Sequence, residues 1–124
     1  MNILDERIRK GDIFVAEYFF EGSWREKPVV VVQNDIGNQL SPLLIVAPII
    51  SDEQSSYRED PMQLNLDDSV MAQTGLKKSV VLLNVILTIN KNSLLEKVGY
   101  LPPYLVEKLD RGLVLSLGIK LRLS

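Results

Sequence analysis

Residues 27–38, Lys27-Pro28-Val29-Val30-Val31-Val32-Gln33-Asn34-Asp35-Ile36-Gly37-Asn38, decide how the chain folds. The four valines after Pro28 form an unbroken β-branched run, which reads as a strand buried on both faces. Gln33 and the Asn, Asp and Gly residues behind it stop that strand. Such residues tolerate turn backbones, so residues 34–38 are expected to form a turn.

Working outward, residues 13–20 follow the Gly11-Asp12 turn signal and read as a strand that Glu21-Gly22-Ser23 breaks. Ser41-Pro42 restarts the chain into an apolar strand over residues 43–50. Pro48 has no N–H to give a ladder, so an edge position or a bulge is expected there. Residues 51–60 read as a long polar loop. Met62, Leu64 and Leu66 alternate with polar residues as a half-exposed strand, and residues 79–89 form the longest β-type run. Asn92 or Ser93 is expected to cap a short helix running through Lys97 and ended by Gly99. Pro102-Pro103 starts a last helix in which Leu105, Leu109, Leu113 and Leu117 recur every fourth residue before Gly118. The expected fold is mainly β with a C-terminal helix, a small barrel or strongly bent sheet in one domain over residues 1–124.

Composition narrows the chemistry. The chain has 124 residues, 46% apolar and 24% charged, enough for one globular core. It contains no histidine and no cysteine. Disulfides, His/Cys zinc sites, a Ser-His-Asp triad and a thiolate nucleophile are therefore excluded. An enzyme built from this chain works with Arg, Lys, carboxylates, hydroxyls or amides. The net charge of -2 argues against an extended nucleic-acid surface but leaves room for a local basic cleft. No apolar run approaches the roughly 18 residues of a spanning helix. No signal-peptide pattern opens the chain, so no membrane partner and a cytoplasmic location are expected.

Glycines form neither a Walker loop nor a G-x-G-x-x-G fingerprint, and no cofactor is expected. Asp52-Glu53 and Asp67-Asp68 read as solvated pairs rather than as a metal site. Arg25 and Lys27 are two residues apart before the valine run, so an extended chain sends both to one face. They suit a phosphate, or they are a charged strand entry that keeps an edge soluble. Trp24 beside them either stacks on a base or covers the core. The amides of residues 33–38 either shape the turn or read base edges in single-stranded RNA.

The order Gly11-Asp12-Ile13, then residues 27–38, then Ser41-Pro42, resembles the MazF/PemK family of toxin ribonucleases. Ser79-Val80-Val81-Leu82-Leu83, Thr88-Ile89, residues 94–101 and Leu115-Ser116-Leu117-Gly118 extend the resemblance over about residues 8–118. It implies an SH3-like small barrel of the MazF/CcdB/PemK type, a homodimer, and an antitoxin peptide that wraps the dimer and blocks RNA. DNA would be met only through that antitoxin. It also implies metal-independent cleavage of single-stranded RNA, the ribose 2′-hydroxyl attacking its own phosphate with help from an Arg and a Thr or Ser.

Carried over residue by residue, the family arginine falls on Lys27, which keeps the charge but not the two-pronged contact. The family hydroxyl falls on Ile50, with Ser51 one residue on. The catalytic set read from the sequence is thus Lys27 as charged catalyst or phosphate clamp, Arg25 as auxiliary cation and Ser51 as hydroxyl. Asn34, Asn38, Asn84, Thr88 and Trp24 are the expected RNA contacts. Asn84, Val85 and Leu87 stand where the family commonly has Glu-Gln and Arg, and the first strand connection around residues 22–26 is short. These departures support an alternative, a catalytically silent dimer acting as a protein-binding or operon-regulating module.

Overall fold

A computed structural model describes residues 8–51 and 60–120. Strand β1 (Asp12–Phe20) and strand β2 (Ser23–Val31) pair antiparallel from Ile13↔Val30 to Phe20↔Ser23. Their connection is the two residues Glu21 and Gly22, both at positive φ (50° and 81°). That turn matches the twist of the strands it joins, and glycine adopts it without steric cost. β2 therefore starts earlier than the valine run suggests, because the hairpin extends the ladder through polar residues.

The expected turn at 34–38 is instead a short helix, α1 (Asp35–Leu40). Asn34 Oδ1 accepts from Gly37 N at 2.8 Å as its N-cap. Asn38 is fully buried, its Nδ2 donating to Gln33 O at 2.9 Å and to Asp35 Oδ1 at 3.3 Å. Asp35 Oδ1 also accepts from Lys10 N at 2.7 Å, so α1 is tied to the chain entering β1.

Strand β3 (Leu43–Ser51) pairs with β2 from Val29↔Pro48 to Val31↔Val46. On its other side the chain from residue 79 to residue 90 runs antiparallel to it in two pieces, β5 (Ser79–Leu82) and β6 (Leu87–Asn90). From Ile49↔Val81 to Val46↔Leu87, β3 advances three residues while its neighbour advances six. The surplus loops out, which splits the single strand expected over 79–89. Ala47 and Pro48 lie opposite that loop, so the proline interrupts no ladder on that side. Strand β4 (Gln63–Asn65) adds to β5, and with β7 (Leu94–Tyr100) at the far edge the sheet order is β4-β5-β3-β2-β1-β7, with β6 also on β3.

Two further expectations are corrected. Residues 92–97 do not form a helix. Only a single 3-10 turn, Lys91–Ser93, is present, and strand β7 (Leu94–Tyr100) then pairs with β1. Backbone pairing with an otherwise open edge outweighs the local helix signals. A helix not foreseen, α2 (Asp68–Thr74), is N-capped by Asp67 and ended by Gly75 in the left-handed region. This also gives Asp67 a structural task, since its carboxylate accepts from Val70 N, Ser69 Oγ and Tyr104 Oη. Those bonds, led by the one from Tyr104, hold its pKa below the ordinary carboxylate value. Asp52-Glu53 and most of the 51–60 loop lie outside the described residues.

Helix α3 (Pro103–Leu117) has the expected start at a proline and stop at Gly118. Leu105 and Leu109 bury against one face of the sheet together with Val30, Ala47, Ile49, Val81 and Leu83. Leu117, placed on the same stripe by spacing, is exposed at the helix end. The other face carries a second cluster that includes Phe14, Tyr18, Val29, Val31, Val46 and Ile89. No described helix contributes to it, so the sheet covers it by curving on itself, and the fold is a small barrel-like sheet with a C-terminal helix. No described helix is long and apolar enough to cross a membrane.

Two substitutions test this packing in urea unfolding. Asn38→Ala leaves buried partners unpaired and is expected to cost about 1–3 kcal/mol. Gly112→Ala drives a methyl group into Leu83 Cδ1, just past the end of β5, and is expected to cost about 1–3 kcal/mol by overpacking.

Candidate active site

The pairing of β2 with β3 ends at Val29↔Pro48, while β3 continues along β5 to Ser51↔Ser79. Beyond that point the start of β2 and the end of β3 part, and a cleft of about 230 Å³ lies between them. Lys27 and Pro28 line it from β2, Ile49 and Ser51 from β3, and Leu76, Lys77 and Ser79 from the entry to β5. Ser79 is buried, and its Oγ donates to Lys77 O at 2.6 Å, which pins the backbone that carries Lys77.

The polar equipment that the described residues give this cleft is two ammonium groups and two hydroxyls. Among the described residues no carboxylate lines it. Such walls attract a phosphate, neutralise charge that develops on it and donate protons, but they supply no strong proton acceptor. Ile50, where the resemblance puts the family hydroxyl, is half-buried and opposite Val80, and it is absent from the cleft walls; its neighbour Ser51 is present. No register shift within β3 is needed for this. The strand alternates normally, and the cleft opens on the side that Ile49 and Ser51 share.

Arg25 does not line this cleft. Its Nε donates to Phe20 O at 3.2 Å, and its guanidinium lies 5.6 Å from the centre of the Phe20 ring. The cation instead serves the hairpin tip. Burial raises the pKa of nearby Tyr18, and the positive charge of Arg25 offsets part of that rise.

A second cleft, about 260 Å³, opens between the hairpin tip and β6. Trp24 and Phe19 flank it edge to face, ring centres 5.8 Å apart, and Thr88 and Asn90 line it from β6. Trp24 is 73% exposed, so it does not cover the core. The eight residues singled out from sequence thus divide. Lys27 joins Ser51, Trp24 joins Thr88, and Arg25, Asn34, Asn38 and Asn84 are in neither cleft. Asn34 is a helix cap, Asn38 is interior, and Asn84 sits exposed on the looped-out segment between β5 and β6.

Lys77 was missed, although the Lys77-Lys78 pair directly before the longest β-type run was a visible signal. The largest of these cavities, about 540 Å³, lies beside α3 and β7 and includes Lys10, Asp12 and Lys97. Its charges are largely spent internally, since Lys97 Nζ is 3.3 Å from Asp12 Oδ2 and Lys10 pairs with Asp110.

Comparison with known proteins agrees with this fold. The family described as "PemK-like, MazF-like toxin of type II toxin-antitoxin system" matches residues 9–117. An Endoribonuclease MazF of Staphylococcus saprophyticus is 34% identical over 115 residues, covering 90% of this chain and 92% of that protein. Among solved structures, an endoribonuclease from a mycobacterial species superposes with a TM-score of 0.74 at 18% identity, covering 93% of this chain and 95% of that one. A MazE-MazF structure from Deinococcus radiodurans gives 0.68 at 16% identity, covering 90% and 96%. The chain belongs to the PemK-like, MazF-like family of toxins of type II toxin-antitoxin systems.

Proposed function

We propose that this chain is a metal-independent endoribonuclease of single-stranded RNA, held in check by an antitoxin peptide and working as a homodimer in the cytoplasm. The observation that carries the reading is the cleft that brings Lys27, Lys77 and Ser51 together where β2 and β3 part. Its sense is strengthened by the 34% identical relative, which is named an endoribonuclease.

In this reading the 2′-hydroxyl oxygen of a bound nucleotide attacks the adjacent phosphorus, and the bond from phosphorus to the 5′ oxygen breaks. The products are a 2′,3′-cyclic phosphate and a 5′-hydroxyl end. Lys27 and Lys77 meet the non-bridging oxygens and stabilise the charge that grows on them. Ser51 or one ammonium gives a proton to the departing 5′ oxygen. The 2′-hydroxyl proton passes to solvent, since the chain has no imidazole and no carboxylate lines the cleft among the described residues. Arg25 acts as the auxiliary cation only from the hairpin, through the strand it steadies.

A partner surface accompanies the cleft. Ile36 and Leu40, one turn apart on α1, are 74% and 80% exposed, and Leu43 and Ile45 at the start of β3 are exposed as well. Patches of this kind on a small chain suit a second copy or an amphipathic peptide. Solved relatives include an endoribonuclease in complex with its cognate antitoxin. DNA contact is assigned to the antitoxin, since this chain carries a net charge of -2.

Purified protein incubated with a long single-stranded RNA in the presence of a chelator tests the reading. Cleavage yielding cyclic-phosphate ends is expected, with a rate that rises steadily as pH goes from about 6 to about 8 instead of following a bell. Lys27→Ala is expected to slow it by about 10²-fold or more, and Lys27→Arg to retain it, restoring a forked contact to phosphate. Intact RNA after incubation with the antitoxin-free protein would overturn the proposal in favour of a silent, peptide-binding dimer.

A further inference from the structure

We infer that the cleft between the hairpin tip and β6 is a guanine-recognition pocket, so that the chain selects single-stranded RNA that contains guanine. The inference rests on the RNA reading above for the nature of the ligand. Its residues and its chemistry are otherwise separate from the Lys27 cleft.

Trp24 is the chain's one tryptophan and is 73% exposed. Phe19, 58% exposed, props it edge to face at 70°. A large aromatic surface held rigid in solvent is costly unless something stacks on it, and a nucleobase offers a flat face to do so. At about 260 Å³ the cleft is smaller than the roughly 300–1,000 Å³ that drug-sized ligands occupy, and a single base suits it.

The polar groups choose the base. Glu17 lines the cleft, and across the hairpin it faces Glu26 directly. Among the described residues neither has an ion-pair partner. Opposed like charges destabilise a ladder, and N–H donors brought by a ligand relieve them. Asn90 lines the cleft from β6. Its Oδ1 accepts from Asn92 N at 2.9 Å, which fixes the amide and commits that oxygen. Its Nδ2 has no partner among the described residues and remains a donor.

A carboxylate acceptor beside an amide donor matches one base edge. Guanine offers two neighbouring N–H donors, at N1 and N2, to the carboxylate, and its O6 accepts from the amide. Adenine and cytosine each put a ring-nitrogen acceptor where guanine has its N1–H, against the carboxylate. Uracil has one N–H between two carbonyls. Trp24 precedes Lys27 by three residues on β2, roughly 10 Å along the strand, and alternation turns the two side chains to opposite faces, so the base pocket and the Lys27 cleft are separate sites on one strand.

The test uses short 2′-O-methyl oligouridylates, which resist cleavage, carrying one guanine, adenine or cytosine or no replacement. Trp24 fluorescence reports pocket occupancy, and anisotropy of labelled oligonucleotides gives affinities. The guanine oligonucleotide is expected to quench Trp24 and to bind at least about tenfold tighter than the other three. Glu17→Gln is expected to bring all four within about threefold. Asn90→Asp, which keeps the capping oxygen but removes the donor, is expected to weaken guanine binding by about tenfold. Equal affinities for the four oligonucleotides in the unmodified protein, or unchanged preference in Glu17→Gln, would overturn the inference. Cleavage of unmodified RNA is scored separately. Guanine preference without cleavage removes the nuclease reading and keeps the pocket, and cleavage without preference does the reverse.

Discussion

The structure depends on one strand serving three neighbours. β3 pairs with β2 on one side and with β6 and then β5 on the other, and the changeover falls at Ala47-Pro48. A proline there has no N–H to lose, so the facing strand can loop out three surplus residues at little cost. The alternation of β3 then feeds both cores, Val46 into the cluster that the sheet curves around and Ala47 and Ile49 into the one under α3. The same changeover ends the pairing with β2 and opens the cleft where Lys27 meets Ser51.

Charge in this chain is arranged rather than abundant. Near α3, Lys97 and Lys10 are paired with Asp12 and Asp110. Among the described residues, the Lys27 cleft holds two lysines and no carboxylate to compete for them. A lysine is a flexible point charge, so two of them approximate what one forked guanidinium does for a phosphate, with less geometric control. Arg25 would have supplied that fork, but the Phe20 carbonyl and ring hold it at the hairpin.

Much of the fold was legible in the residues. The valine run, the start of α3 at Pro103 and its stop at Gly118 follow from β-branching, a fixed φ and a left-handed cap. The misses have physical causes. Residues 94–100 carry helix signals, yet an open edge of β1 recruited them as a strand. α2 was announced by Asp67 and Gly75, but its few apolar residues gave too short a period to read. In the site, the same-face argument for Arg25 and Lys27 held for the backbone and not for the side chains. The meeting of Lys27 with Ser51 depends on two strands parting, which no local pattern encodes, and Lys77 arrives from a segment 26 residues beyond Ser51.

The short first hairpin ties these points together. A two-residue connection cannot fold over the neighbouring clefts as a long loop would, so Phe19 and Trp24 at the ends of β1 and β2 stand exposed. Aromatic residues placed there are then a net cost to the free protein, and the opposed Glu17 and Glu26 add to it. Both costs fall when a flat ligand with N–H donors occupies the cleft. The absence of histidine points the same way. With no imidazole to accelerate proton transfer, selectivity and rate in such a chain depend on how a ligand is held, and β2 contributes to two separate clefts, Trp24 lining one and Lys27 the other.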